Sequence, residues 1–310
     1  MPLITKLSQL FSKAESQQYL GITLRQKEIG ICCLPDETPA NFQRLALIPH
    51  GEKEHLARLT EQPEIHGQAT LVLSTNQYQI VQVDKPNIPE DEILSALTWK
   101  IKDLVPYSPE DMILDYFDGP QLIGASQKIN VVCSSKTILQ PMVAALSTSN
   151  IHLKKIITEE FAFARLLPID ENACLFVCQQ PSEEIIIMIV KQGKIHFHRR
   201  LRGFANIADE NEETLTMGTI DRLSLEIQRS TDYFERQLKQ APIKVIKILV
   251  PIEAESFLAR KLAENTHIAL EIFNLPAPYQ EQREHAATLG AILPTPTLVD
   301  HTSATEVINE

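Results

Sequence analysis

An α/β protein of two hairpin-led lobes, the first interrupted by a smaller α+β unit, is the architecture the sequence predicts. Three observations carry it. Paired apolar runs split by tight turns open both halves of the chain, "YLGITLRQKEIGICCL" at 19–34 and "ACLFVCQQPSEEIIIMIV" at 173–190. Strand-like and helix-like segments alternate over residues 217–275, the pattern of a sheet covered by helices. Between the halves the texture changes at "KPNIPEDEILSALTWKIKDLVPYSPEDMILDYF", residues 85–117.

Residues 1–18 place Leu3, Ile4, Leu7, Leu10 and Phe11 at helical spacing. Such an amphipathic segment suits docking on the chain's own body, on a partner or on a membrane surface. The first lobe, 19–84, holds "QYLGITLR", "EIGICCL", "FQRLALI", "ATLVLST" and "YQIVQVD". These short runs rich in Ile, Val and Leu read as strands, with a helix expected at "EKEHLARLTEQPEI". The inserted unit, 85–157, starts with Pro89 and the acids Glu90, Asp91 and Glu92, a favourable first helical turn. Ile93, Leu97, Lys100, Ile101 and Leu104 trace one face of that helix, and Pro106 and Pro109 end it. Strands at "MILDYF" and "KINVVCSS", a helix at "KTILQPMVAALSTSN" and a strand at "IHLKKIIT" complete the unit.

A connecting helix is expected within 158–171, before the second lobe at 172–275. That lobe begins with three strands turning at "QQPSE" and "KQGK". A helix from Met217 to Gln240 follows, with Leu223, Ile227, Phe234 and Leu238 on one face. "IKVIKILV", "AESFLARKLAEN" and "IALEIF" read as strand, helix and strand. A C-terminal helix within 276–293 precedes a tail, 294–310, whose composition predicts disorder.

Apolar residues at 44% and charged residues at 22% place the chain among soluble globular proteins. A formal net charge of −11 argues against nucleic-acid binding, which relies on Lys and Arg neutralising phosphates. The five cysteines form no disulfide framework and no CxxC pair, and four lie inside apolar runs as small hydrophobes, which favours a reducing compartment. The longest apolar run, "IIIMIV", is far shorter than the roughly 20 residues a membrane-spanning helix needs.

At "LSLEIQRSTDYFERQL", 223–238, the sequence resembles the PilM family, actin-like cytoplasmic proteins of type IV pilus assembly. The inserted "IPEDEILSALTWKIKDLVPYSPEDMILDY" is similar to the same family's helix and following strand, and the likeness runs in order over residues 19–293. In detail it is nearer to the MshI group, which serves the mannose-sensitive haemagglutinin (MSHA) pilus. The resemblance implies a two-lobed actin-like (PilM/FtsA-like) fold with an α+β subdomain inserted in the first lobe. It also implies ATP and a divalent metal between the lobes of nucleotide-binding members, held by two phosphate hairpins and a glycine-rich adenosine loop.

Each loop departs from that pattern. Where the family has G-I-D-L-G, this chain reads Gly21-Ile22-Thr23-Leu24-Arg25, losing the carboxylate and the glycine that lets backbone approach phosphate. Arg25 is either a phosphate clamp or a solvent-facing turn residue. Where the family has D-I-G-x-x-T-T, this chain has Gln179, Gln180, Pro181, Ser182, Glu183, Glu184 and Ile185. Pro181 has no N–H to donate, and Glu183 and Glu184 add negative charge. The S-G-G-G place holds Val250, Pro251, Ile252 and Glu253, bulk where a base would stack. The expectation is no cofactor, neither ATP nor Mg²⁺, and no catalytic residues.

His196 and His198 alternate along a strand and are expected to share a face, as two metal ligands would, but no third ligand is fixed nearby and no metal is expected. No G-x-S-x-G, H-E-x-x-H, P-loop or G-x-G-x-x-G is present. Trp99, the single tryptophan, is either a core aromatic or a groove-lining anchor. By resemblance, the N-terminal tail of PilN, a single-pass inner-membrane protein, docks between first lobe and insertion. That places a partner groove regionally at Trp99, Lys100, Leu104, Val105, Pro106 and Tyr107.

The functional expectation is therefore a non-catalytic cytoplasmic scaffold of pilus biogenesis that reaches the inner membrane through partners. Those are a PilN-like tail, the pilus motor ATPases and further copies of the chain. Two alternatives are a weak ATP-binding protein regulated by nucleotide, using Arg25, and a cytoplasmic component of a type II secretion platform.

Overall fold

The computed structural model describes residues 18–25, 28–34, 41–46, 65–120, 126–147 and 150–294. The amphipathic segment expected at 1–18, the helix expected at "EKEHLARLTEQPEI" and the tail at 294–310 lie outside them, save Gln18, Ile65 and Pro294.

Strands β1 (Tyr19–Leu24), β2 (Glu28–Leu34), β3 (Asn41–Ala46) and β4 (Gly67–Leu73) join β8 (Ile151–Thr158) in a five-stranded sheet, ordered β3-β2-β1-β4-β8. Beyond them, β9 (Cys174–Cys178), β10 (Ile185–Lys191), β11 (Lys194–Leu201), β12 (Val245–Leu249) and β13 (Ala269–Ile272) form a second sheet, ordered β11-β10-β9-β12-β13. In both sheets the leading hairpin is antiparallel and the later strands add in parallel.

Period-two alternation divides each strand between two cores. In the first sheet Leu20, Ile22, Ile29, Ile31 and Leu71 pack with Leu139, Met142 and Leu146 of a helix, α2 (Lys136–Ser147). In the second, Val177, Ile185, Ile187 and Ile189 pack with α4 (Ile220–Asp232) and α5 (Glu255–Thr266) through Leu223, Ile227 and Leu258. The opposite faces of the two sheets meet in a central core. There Cys32 and Val72 of the first sheet and Phe176, Ile186 and Met188 of the second enclose α3 (Glu159–Ala164) and α6 (Ala286–Ile292). Strand β10 is covered on both faces, which is why "IIIMIV" is continuously apolar rather than alternating. Gly290 lets α6 touch α3: a Cβ there would lie 1.9 Å from the Ala162 carbonyl oxygen.

The inserted unit is a three-stranded sheet, ordered β5-β7-β6, of β5 (Gln79–Asp84), β6 (Met112–Asp118) and β7 (Lys128–Ser135), with α1 (Glu90–Ile101) on one face. Ile93, Leu97 and Ile101 bury against Val83, Ile129 and Val131. Its limits differ from the 85–157 expected. Strand β5, assigned to the first lobe, pairs with β7, while α2 and β8, assigned to the insertion, complete the first lobe. Pairing between distant strands decides these memberships, and run composition carries no trace of it. The helix expected from Met217 to Gln240 is also broken. Gly218 at φ 128° kinks its start, and Tyr233–Gln237 widens to a π-helical turn.

Candidate functional site

The three loops that an actin-like reading singles out converge at the mouth of the central core, and each is tied down by the chain's own side chains. Thr23 is fully buried. Its hydroxyl lies 3.3 Å from the Gly30 carbonyl oxygen, to which it donates, and 3.3 Å from the Thr288 hydroxyl of α6. Gly21 sits against the Thr288 backbone, where a Cβ would fall 2.3 Å from its carbonyl oxygen.

Arg25 corrects the solvent-facing alternative, being only 3% exposed. Its guanidinium lies over Gly30, where an added Cβ would meet Nη2 at 2.9 Å. It pairs with Glu28 and donates from Nε to Gln180 Oε1 at 3.1 Å. The two hairpin tips are thereby joined across the cleft. Gln180 passes the connection on, its Nε2 donating to Glu159 Oε1 at 2.6 Å.

In the second hairpin, Pro181 and Ser182 form a turn closed by the Glu183 amide on the Gln180 carbonyl. Ser182 has φ 61°, a left-handed position after proline where glycine is favoured. Ser182→Gly should raise stability by about 0.5 kcal/mol, relief of left-handed strain set against added unfolded-state entropy, measured by urea denaturation. Gln179 is pinned between the Glu183 and Phe204 carbonyls. The expected pair of cleft acids separates. Glu183 is fully buried and accepts from Ser74 Oγ at 3.2 Å, whereas Glu184 turns away to accept from the Gly203 and Phe204 amides. In the third loop, Glu255 accepts from the Val250 amide at 2.8 Å and pairs with Arg283, so Pro251 and Ile252 ride on a stapled turn.

Behind these loops lies a buried polar network that sequence reasoning missed. Two acids at the start of α3, Glu159 and Glu160, are fully buried. Glu160 takes Arg200 at 3.0 Å and the Tyr78 hydroxyl at 2.5 Å, while Arg200 also donates to the Thr75 carbonyl and stacks 4.2 Å over the Tyr78 ring. Burial alone would raise the Glu160 carboxyl, but Arg200, His198 and Tyr78 hold it down at about 2. Glu159 makes no ion pair with a described residue, and the charge of Arg200, which favours its ionised form, is outweighed. Burial, then the Glu183 and Glu160 charges, push its pKa well up, and its Oε2 is buried without a hydrogen-bond partner. "TEE" before an apolar run reads as an ordinary helix start, and Arg200 is one of four residues in "RRLR"; neither signals a buried pair.

His196 and His198 do not share a face, contrary to the sequence expectation. The β10–β11 register slips between Ile189 and Val190, so His196 meets Phe234 of the second-lobe core while His198 meets Phe117 of the insertion. Among the described residues no group of three or more His, Cys, Asp or Glu is arranged to hold a metal ion.

A second feature lies between first lobe and insertion. An apolar groove of about 430 Å³ runs between β6 and β8, lined by Ile113, Phe117, Val132, Ile156 and Phe161. Each of these strands is at the edge of its sheet. The residues expected to form the groove stand elsewhere. Trp99 is 64% exposed on the far side of α1 and Leu104 57% exposed in the turn after it, Lys100 and Pro106 are exposed, Val105 is buried with the apolar face of α1, and Tyr107 is half-buried. Trp99 is thus no core aromatic.

The fold is actin-like. The structure resembles that of the PilM–PilN type IV pilus biogenesis complex, with 16% identity, 89% of this chain and 99% of that one covered and a TM-score of 0.66. It also resembles a Bacteroides thetaiotaomicron protein with an actin-like ATPase fold, at 10% identity, 91% and 98% coverage and TM-score 0.53. A third is the cytoplasmic domain of EpsL, an inner-membrane component of the Vibrio cholerae type II secretion system, at 11% identity, 88% and 95% coverage and TM-score 0.52. No family model and no curated protein matches the sequence. Among the described residues no helix is long and apolar enough to cross a membrane.

Proposed function

We propose that this chain is a non-catalytic scaffold of type IV pilus biogenesis, of the MSHA kind, that docks the N-terminal tail of a PilN-like inner-membrane protein. The observation that carries the reading is the groove between β6 and β8. Two facing edge strands offer backbone N–H and C=O groups to an extended peptide, and Ile113, Phe117 and Ile156 offer apolar contacts for alternate side chains. The likeness to a PilM–PilN complex supports the class of partner. Anchored this way, the protein links membrane components to the cytosolic motor ATPases without breaking a bond.

The same reading holds the inter-lobe site to be a dismantled nucleotide site. Arg25, Gln180 and Glu159 bridge the hairpins, Pro181 removes an amide, and the buried Glu183 opposes a polyphosphate. ATP and Mg²⁺ do not fit these residues.

The test is a labelled peptide from the N-terminal tail of a PilN-like protein, titrated by fluorescence anisotropy. Ile113→Glu should weaken binding at least about tenfold by placing a charge in the apolar groove, while Trp99→Ala should leave it unchanged. The opposite pattern would move the docking site to the outer face of α1. Millimolar Mg-ATP should leave the melting temperature unmoved, whereas a ligand at about 100 times its Kd would add roughly 2.7 kcal/mol.

A further inference from the structure

Outside both sites, the second lobe carries a cleft of about 430 Å³ between the end of β11 and α4. Arg199 and Arg202 reach it from the strand and its following turn, and Arg222 and Arg229 from the helix. On α4 the positions 222, 225, 226 and 229 follow i, i+3, i+4, i+7, one stripe on the face opposite the buried Leu223 and Ile227. A fifth lining arginine, Arg200, turns its guanidinium away to Glu160 and the Thr75 carbonyl; the other four run against a chain whose net charge is −11.

The cleft already holds one carboxylate, and the way it is held shows the ligand chemistry. Glu226 takes Arg199 at 2.7 Å on one oxygen and Arg229 at 2.6 Å on the other. Arg222 and Arg202 are exposed, and neither makes an ion pair with a described residue. Arg222 stacks 4.8 Å from the Phe204 ring, which fixes its plane and leaves its edge to solvent. Leu225, 45% exposed, stands between the two arms.

We propose that this cleft binds an acidic peptide segment of a partner protein, its carboxylates taken by Arg202 and Arg222 and its stem packed on Leu225. Guanidinium forks match carboxylate geometry in two parallel hydrogen bonds. A peptide is favoured over an anionic bilayer by shape and charge. A concave cleft admits a slender chain, whereas a flat anionic surface would also face the rest of a strongly acidic protein. With Leu225 the single exposed apolar side chain among the cleft residues, there is little to insert into lipid. The PilN-like tail of the preceding section belongs in the other lobe, so this is a separate contact and stands or falls separately.

The test uses the full chain with a fluorescein-labelled oligo-glutamate peptide, an oligo-glutamine control, and vesicles of phosphatidylglycerol in phosphatidylcholine. The glutamate peptide should bind at low salt and weaken about tenfold between about 50 and 300 mM salt, as screening shortens the reach of the charges. The double variant Arg202→Glu, Arg222→Glu should lose at least about tenfold in affinity. A control reversal at two lysines outside the cleft, Lys102→Glu with Lys261→Glu, should change it less than about twofold. Equal binding of the glutamine peptide, equal loss in the control variant, or preference for the anionic vesicles would each overturn the proposal. Circular dichroism of both variants separates loss of binding from loss of fold.

Discussion

Arg200→Ala should destabilise the protein by about 3 to 5 kcal/mol, the usual cost of stranding the other member of a buried ion pair. Glu160 is fully buried, and the cation at 3.0 Å is what keeps it ionised there. Alanine also removes the donor to the Thr75 carbonyl and the guanidinium over Tyr78, so three tethers between the lobes go together. Arg200→Lys restores charge without the planar fork and should recover only part of the loss. The pH dependence follows from the depressed pKa of Glu160. Its stabilising share is present above the ordinary carboxylate value near 4.3 and disappears as pH falls towards about 2. The gap between wild type and Arg200→Ala in urea midpoint should therefore be widest at neutral pH and close in acid. A loss under about 1 kcal/mol at pH 7 would mean that Glu160 is not a buried anion.

Glu159→Gln should do the reverse, stabilising the protein by roughly 1 to 3 kcal/mol near pH 8. The side chain is fully buried, accepts from Gln180 on one oxygen and leaves the other unpartnered near Glu183. Glutamine keeps the acceptor for Gln180 and replaces the lone oxygen with a donor. A carboxyl whose folded-state pKa lies above its unfolded value holds its proton more tightly when folded. Its favourable share is whole below about 4.3 and is lost as pH rises from there through the folded value. Melting curves across pH should show wild type and variant converging in acid and separating in alkali. Parallel curves would show that Glu159 does not titrate with folding.

The hairpin strands at 19–24 and 28–34 and the run at 185–190 were legible as short apolar segments bounded by turn residues. The loss of glycines and of the first-hairpin carboxylate could be read directly, because those requirements are local. What replaced them could not. Arg25 reaches Gln180, Glu160 reaches Arg200, and Thr23 reaches Thr288, all pairs that only the folded chain brings together. The apolar groove between β6 and β8 went unread for the same reason. Periodicity marked α1 as a helix with an apolar face, but Trp99 on its far side and Leu104 in the turn after it stand in solvent, while the open apolar surface lies on β6. The histidines were misjudged by a single slipped residue in the β10–β11 ladder, which reverses side-chain direction.

The contact of Thr23 with Thr288 joins residues 265 positions apart, and α6 covers β1, β2 and β4 from near the end of the chain. On a ribosome adding about 5 to 20 residues each second, the opening hairpin waits roughly 13 to 53 s for that cover. During that interval the inner face of the nascent first lobe stays uncapped, a binding surface for general chaperones. A message truncated before the codon for Ala286 would therefore damage the first lobe as much as the segment it removes.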